Sequence, residues 1–455
     1  MQYRSTRGHG PVGFGEVLTG GVAPDGGLYL PEARPEPGVD ADWVDLPYPE
    51  VVARVLLPFV EPYFGLTDLR AMAGAAYADF RDPAIAPIEH LWGDVHLLDL
   101  TKGPTLSFKD FALSLVGRML DAALERSGGS ITVLGATSGD TGSAAIAALA
   151  GLERVRVVML HPAGRVSDVQ RRQMTTVLAD NVTNLAVAGS FDDCQDLVKG
   201  AFAHDDLVEA HDLVAVNSIN WVRIAAQTAY HTWAAVRLGA TGRPIVVSVP
   251  SGNFGNAYAA HVAAGFGAPI AQIVVATNAN NRLARFLETG SLEIGEVAAT
   301  HAPAMDIQVP SNLERLIFEA LDRDPAATAD LMARYRRTGR LRVPSGALAP
   351  FRARFSSGWM GDDAVLAAIA ETHERTGRLV DPHTAIGLAI GRMRAAHPGA
   401  PLVAVATADP AKFPDAVEAA TGIRPSLPDD LADLFDRPER FEVIEPDPGL
   451  LADRL

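Results

Sequence analysis

Parallel β-sheets sandwiched between helices, an α/β architecture with a separate N-terminal domain, are what this 455-residue chain predicts. Three observations carry that reading. Short apolar runs rich in Val, Ile and Leu recur without polar alternation, as expected of strands buried on both faces. Helix-length segments separate those runs, and strand–helix alternation implies parallel pairing. Residues 1–90 break the rhythm: proline and glycine are dense from Pro24 to Gly38, and the helical segments that follow lack buried strands.

Strands are expected at Val95–Leu100, Ile131–Leu134, Val155–Leu160, Ile245–Val249, Ile273–Ala276 and Leu402–Ala406. Helices are expected at Phe111–Glu125, Gly142–Ala150, Ile224–Leu238 and Asn256–Ala264; in the first, Phe111, Leu115 and Met119 recur every fourth residue and would face a core. The chain then divides into an N-terminal domain over 1–90, a second unit over 91–240 and a third over 241–455. After Pro428, Asp429, Asp430, Asp433, Asp436, Glu439, Glu442, Glu445, Asp447 and Asp453 face few arginines, so this tail reads as a solvated appendage.

Composition narrows the function. Hydrophobic residues at 48% and charged residues at 21% exclude long disorder, collagen and coiled coil. A net charge of −16 argues against nucleic acid and anionic lipid surfaces as partners. The most apolar stretch, Ala257–Ala276, is broken by His261, Gly265, Gly267, Pro269 and Gln272, and Met1–Val17 has no signal-peptide apolar core. One cysteine, Cys194, fits a reducing, cytoplasmic setting; its acidic neighbours Asp192, Asp193 and Asp196 argue against a nucleophilic thiol. His204 and His211, or His373 and His383, lack the spacing of a helical metal site, so no metal is expected.

Three motifs bear chemistry. Gly103–Asp110 places Lys109 at a helix start, where partial positive charge disfavours the ammonium, as imine formation requires. A solvated lysine is the competing reading of that pattern alone. Leu134–Gly142 follows a strand and opens a helix, so Thr137, Ser138, Gly139, Asp140 and Thr141 surround a backbone suited to an anion. Ser251–Asn256 repeats the arrangement: Gly252 and Gly255 allow close approach, while Asn253 and Asn256 add neutral donors around Phe254. Neither loop carries a nucleotide P-loop ending or a dinucleotide fingerprint, which favours a fixed phosphate-bearing cofactor over a nucleotide.

Two phosphate-grade loops and an imine lysine point to pyridoxal phosphate, and the chain resembles the threonine synthase family. Further similar segments are Tyr3–Gly8, Ala23–Tyr29, Asn217–Trp221 with Arg223 and Gln227, Met305–Asn312 and Asp381–Ala385, spread over nearly the whole chain. The resemblance implies the tryptophan synthase β-like fold (fold type II), with Lys109 as the cofactor lysine, residues 136–142 as the substrate-carboxylate loop and Gly252, Asn253, Phe254, Gly255 and Asn256 as the cofactor-phosphate loop. It implies conversion of O-phospho-L-homoserine and water to L-threonine and phosphate, by a monomer or homodimer. A phospho-lyase giving 2-oxobutyrate is the alternative outcome.

Roles follow from the same likeness. Thr407 would meet the pyridine nitrogen, and Asp409 stands where the family commonly has histidine. Asp140 would contact the cofactor ring oxygen or a substrate amine, with a protonated form as one option. Arg4, Arg7, Arg223, Asn220 and Ser218 are candidates for the substrate phosphate. Lys412 is expected at the surface or as a cap, and Trp221 in the core.

Overall fold

The computed structural model describes residues 1–36, 38–215, 217–239 and 243–455. Two sheets dominate. In one, the six strands lie in the order Phe355–Trp359, Ile270–Thr277, Ile245–Pro250, Leu402–Ala406, Val95–Asp99 and Ile88–Trp92. All its pairs are parallel except the last, where Ile88–Trp92 runs antiparallel to Val95–Asp99. The other has five parallel strands in the order Glu442–Ile444, Val182–Val187, Val155–Pro162, Ile131–Ala136 and Leu213–Ala215. The apolar runs are buried on both faces; Ile245–Pro250 has no exposed residue.

The four expected helices form as Lys109–Ser127, Asp140–Leu149, Trp221–Gly239 and Gly255–Gly265. Lys109–Ser127 shows why. Phe111, Leu115 and Met119 are completely buried, and each such side chain contributes about 1.5–3 kcal/mol. Phe111 packs edge-on to Tyr48, Phe80 and Tyr230, so one ring joins the N-terminal segment to two later helices. The helix stops at Gly128, whose φ of 72° lets its amide turn back to Leu124 O at 2.8 Å.

Residues near the N-terminus pack into the same apolar cluster. Tyr3–Ser5 pairs antiparallel with Tyr29–Pro31, and the Tyr3 ring lies 6.4 Å from Trp221, which is core as expected. Buried Arg315 donates to Tyr29 O at 3.1 Å and to Ile219 O at 2.6 Å, tying this hairpin to the 217–220 loop.

The acidic tail corrects the sequence expectation. Glu442–Ile444 pairs with Leu185–Val187 at the edge of the five-stranded sheet, and Leu431, Leu434, Ile444, Leu451 and Leu455 are buried. Glu439 accepts from Arg171 and from Thr175 Oγ1, the latter at 2.7 Å. The apolar residues are too widely spaced among carboxylates to give a helical or strand period, which hid their inward face.

Candidate active site

Lys109 begins its helix because Asp110 folds the preceding loop: its Oδ2 accepts from Thr105 N at 2.8 Å. The lysine Nζ ends 2.9 Å from Asp140 Oδ2. Burial, opposed by Asp140 and assisted by the nearby Lys412 and Arg223 cations, pushes the Lys109 ammonium below its ordinary value. An amine that releases its proton readily can attack a carbonyl and accept a proton in turn.

Asp140 sits at the first turn of Asp140–Leu149, brought there by Gly139 at φ 142°, where a Cβ would lie 2.4 Å from the Gln170 side chain. Gln170 Nε2 donates to its Oδ1 at 2.7 Å, and Lys412 Nζ lies 2.8 Å from the same oxygen. Burial opposes ionisation, yet the Lys109 and Lys412 ammoniums override it and hold the carboxyl well below the usual range. Two ammonium groups within 3 Å of its oxygens favour the ionised form. The expectation for Lys412 is corrected: it is completely buried, with a second bond to Thr105 O at 2.7 Å.

In the Ser251–Asn256 loop, Ser251 N donates to Ala276 O at 2.9 Å, anchoring the turn on the neighbouring strand. Phe254 adopts φ 65° and is buried, and a Cβ on Gly252 would lie 2.4 Å from Ala304 O, so only glycine lets the chains approach so closely. Asn312 N donates to Asn253 O at 3.1 Å, and Gly255 begins the helix, whose first amides lack intrahelical partners. Asn256 Oδ1 accepts from Tyr230 OH at 2.9 Å and lies 2.8 Å from His231 Nε2, which fixes its amide orientation. His231 is held neutral by burial, which lowers it to about 4.

Thr407 follows the strand Leu402–Ala406, and its carbonyl accepts from Phe108 N at 3.0 Å, beside the lysine motif. Asp409 caps the short turn Pro410–Lys412 through Ala411 N at 2.9 Å, and burial raises its carboxyl above the usual range. That cap delivers Lys412 to Asp140.

Thr137 and Asn220 each make structural bonds at the site. Thr137 Oγ1 accepts from Gly139 N and Gly142 N at 3.0 and 2.9 Å, folding the loop from within. Asn220 Nδ2 donates to Val17 O and Leu18 O, and its Oδ1 caps Val222 N, so it has no donor left to offer. Ser138 is exposed and Thr141 half-buried, both open to a ligand.

The arginines separate clearly. Arg4 pairs with Glu32 and Arg7 with Glu314, both at 2.7 Å, the salt-bridge alternative to a substrate-phosphate contact. Arg223 is 3% exposed, and among the described residues its Nε and Nη1 meet no acceptor. Burial lowers it to about 10, which leaves it charged at neutral pH. Cys194 is buried and its thiol pushed up to about 12, which removes it as a nucleophile.

Orphaned groups test whether the residues suit pyridoxal phosphate. Ser251 Oγ and Asn256 Nδ2 are buried without partners among the described residues, at a loop whose amides face a helix N-terminus. Buried donors lacking acceptors suit a phosphate dianion, and a proton-releasing amine suits an aldehyde. Pyridoxal phosphate carries both, so the residues fit. Sequence reasoning missed Lys412, Gln170, Ser251 as an orphaned donor and Tyr230; for Lys412 the available signal was its place on the same strand-end turn as Thr407. Among the described residues no cluster could hold a metal ion.

The chain is similar to known proteins over nearly its whole length. Family models described as pyridoxal-phosphate dependent enzyme, threonine synthase N terminus and threonine synthase, C-terminal match residues 85–358, 2–77 and 384–453. A threonine synthase from Pseudomonas aeruginosa is 45% identical over 98% of this chain and 96% of its own length. One from Methylobacillus glycogenes is 40% identical over 99% and 98%. A crystal structure of pyridoxal-phosphate-bound threonine synthase from Brucella melitensis superposes with a TM-score of 0.96 at 44% identity, covering 100% of this chain and 98% of that one.

Proposed function

The chain belongs to the threonine synthase family of pyridoxal-phosphate-dependent enzymes, and on that premise we propose how its residues turn O-phospho-L-homoserine and water into L-threonine and phosphate. This is the last step of threonine biosynthesis, run on the tryptophan synthase β-like fold. The observation that carries the assignment of roles is buried Arg223, whose Nε and Nη1 meet no acceptor among the described residues, close enough to the Lys109 amine to disfavour its charge.

Gly252, Asn253, Phe254, Gly255 and Asn256 would hold the cofactor phosphate on their amides, with Ser251 Oγ and Asn256 Nδ2 as the further donors. The Thr407 hydroxyl would face the ring nitrogen. When bound, pyridoxal phosphate supplies an aldehyde for amines and an electron-withdrawing ring that acidifies protons on an attached amino acid. Lys109 Nζ moves protons to and from the substrate carbons, held in line by Asp140. Ser138, Gly139 and Thr141 would bind the substrate α-carboxylate at the helix N-terminus. Arg223 would hold the γ-phosphate and stabilise it as it leaves.

We also propose a cytoplasmic location, a monomer or homodimer, and a three-part division near residues 90 and 240 in which Val95–Asp99 and Glu442–Ile444 each cross into the other unit's sheet. No helix among the described residues is long and apolar enough to cross a membrane. The test is a product assay with O-phospho-L-homoserine alongside borohydride trapping. Threonine as product, and a pyridoxyl tag on the Lys109 peptide lost in Lys109→Ala, are expected. Formation of 2-oxobutyrate instead would overturn the product, and a tag elsewhere would overturn the role of Lys109.

A further inference from the structure

The mechanism above uses one lysine, yet the site contains two, joined by a single carboxylate. Lys412 Nζ is sealed from solvent between Thr105 O at 2.7 Å and Asp140 Oδ1 at 2.8 Å, while Lys109 Nζ takes the other Asp140 oxygen at 2.9 Å. Gln170 Nε2 completes the shell on Oδ1 at 2.7 Å. The charged groups facing this cluster come from four elements: Lys109 and Asp110 from one helix, Asp140 from a second, Arg223 from a third and Lys412 from the turn Pro410–Lys412.

We propose that Lys412 is a positioning residue, a permanent counter-ion that keeps Asp140 ionised and aimed at Lys109 while Lys109 sheds and regains its proton. The inference rests on the function proposed for this site. An amine that shuttles protons is uncharged for part of every cycle. A buried carboxylate facing only that amine would lose its sole countercharge at each such moment, which is costly in a low-dielectric site. Such a carboxylate either captures a proton itself or pins the amine as an ammonium. With Lys412 fixed against Asp140, the carboxylate keeps a cation whatever Lys109 does. The second cation also repels the Lys109 ammonium, and so helps the amine become free. Lys412 itself reaches no reacting atom, because its ammonium is spent on Asp140 and Thr105.

The test compares wild type, Lys412→Met and Lys412→Arg. In the cofactor-free full chain, the pH dependence of Lys109 acetylation by a limiting reagent is read by peptide mass spectrometry. The half-reaction pH of Lys109 should rise by about one unit or more in Lys412→Met, about tenfold less free amine at a given pH, and return toward wild type in Lys412→Arg. In the loaded enzyme, where the Lys109 amine is free only in the substrate complex, the acid limb of the kcat profile should move the same way. A folded Lys412→Met whose Lys109 titrates as in wild type overturns the inference. Equal shifts in the two variants overturn it as well, since packing alone would then explain them. Where Lys412→Met does not fold, Lys412→Gln takes its place: a half-reaction pH of Lys109 raised by about one unit supports the inference, and an unchanged one overturns it. Borohydride trapping on wild type separates this from the function proposed above, since a pyridoxyl tag on Lys109 can stand while the Lys412 effect fails.

Discussion

Among the described residues, Arg223 is a buried cation with no acceptor on Nε or Nη1. Burying a guanidinium whose Nε and Nη1 bond to nothing among the described residues works against folding, so its presence reflects what it is kept for. Arg223→Met is therefore expected to leave thermal stability equal or higher while weakening use of the phosphorylated substrate. Losing one partner of a buried charge-assisted contact costs about 2–5 kcal/mol, so kcat/KM should fall about 30-fold or more, measured by initial rates beside a melting curve. Asp140→Asn behaves oppositely. It leaves two ammonium groups face to face, and chemical denaturation near neutral pH should show a loss of about 3–5 kcal/mol. The sign with pH follows from the depressed carboxyl. Its contribution is complete above the unfolded value of about 3.9 and fades as pH falls through the lower folded value, so the gap between wild type and variant narrows below about pH 4.

Among the elements, the C-terminal strand and the lysine helix make the clearest demands. Removing residues 438–455 deletes Glu439 from Arg171 and Arg172, strips the edge strand Glu442–Ile444 and uncovers the apolar layer under Ile444, Leu451 and Leu455. A melting temperature lower by several degrees and faster proteolysis near Val182–Val187 are expected. Phe111→Ala, which empties the aromatic cluster one turn from the site, should cost about 3–5 kcal/mol. Elements were legible where the apolar run was unbroken. Leu402–Ala406 forms over the residues read from sequence, and Ile131, Val155 and Ile245 begin strands as expected. Val182–Val187 escaped because Asn184 interrupts it, donating to Met174 O at 3.1 Å from inside the sheet. Phe355–Trp359 escaped because two serines and a glycine hide a strand at the sheet edge. In the site, Lys109 and both loops were readable because glycines and hydroxyls at strand ends leave a local signature. The Asp140–Lys412 pairing had none, since it joins residues from distant parts of the chain.

For the molecule as a whole, cofactor and fold should stabilise each other. A ligand held only by the native state adds about 2.7 kcal/mol at one hundred times its dissociation constant. Adding pyridoxal phosphate should raise the melting temperature of wild type, and of Lys109→Ala by less, because the Ser251–Asn256 loop remains intact in that variant. A fluorescence melting series against cofactor concentration measures both. The six-stranded sheet sets Val95–Asp99 directly against Leu402–Ala406, strands separated by most of the sequence. Neighbours so distant along the backbone cannot find each other early, so this sheet closes late and slowly during refolding, with its middle strands bare in the meantime. Dilution from denaturant should show a lag in regaining cofactor absorbance behind helical signal, and aggregation during that lag that grows with protein concentration.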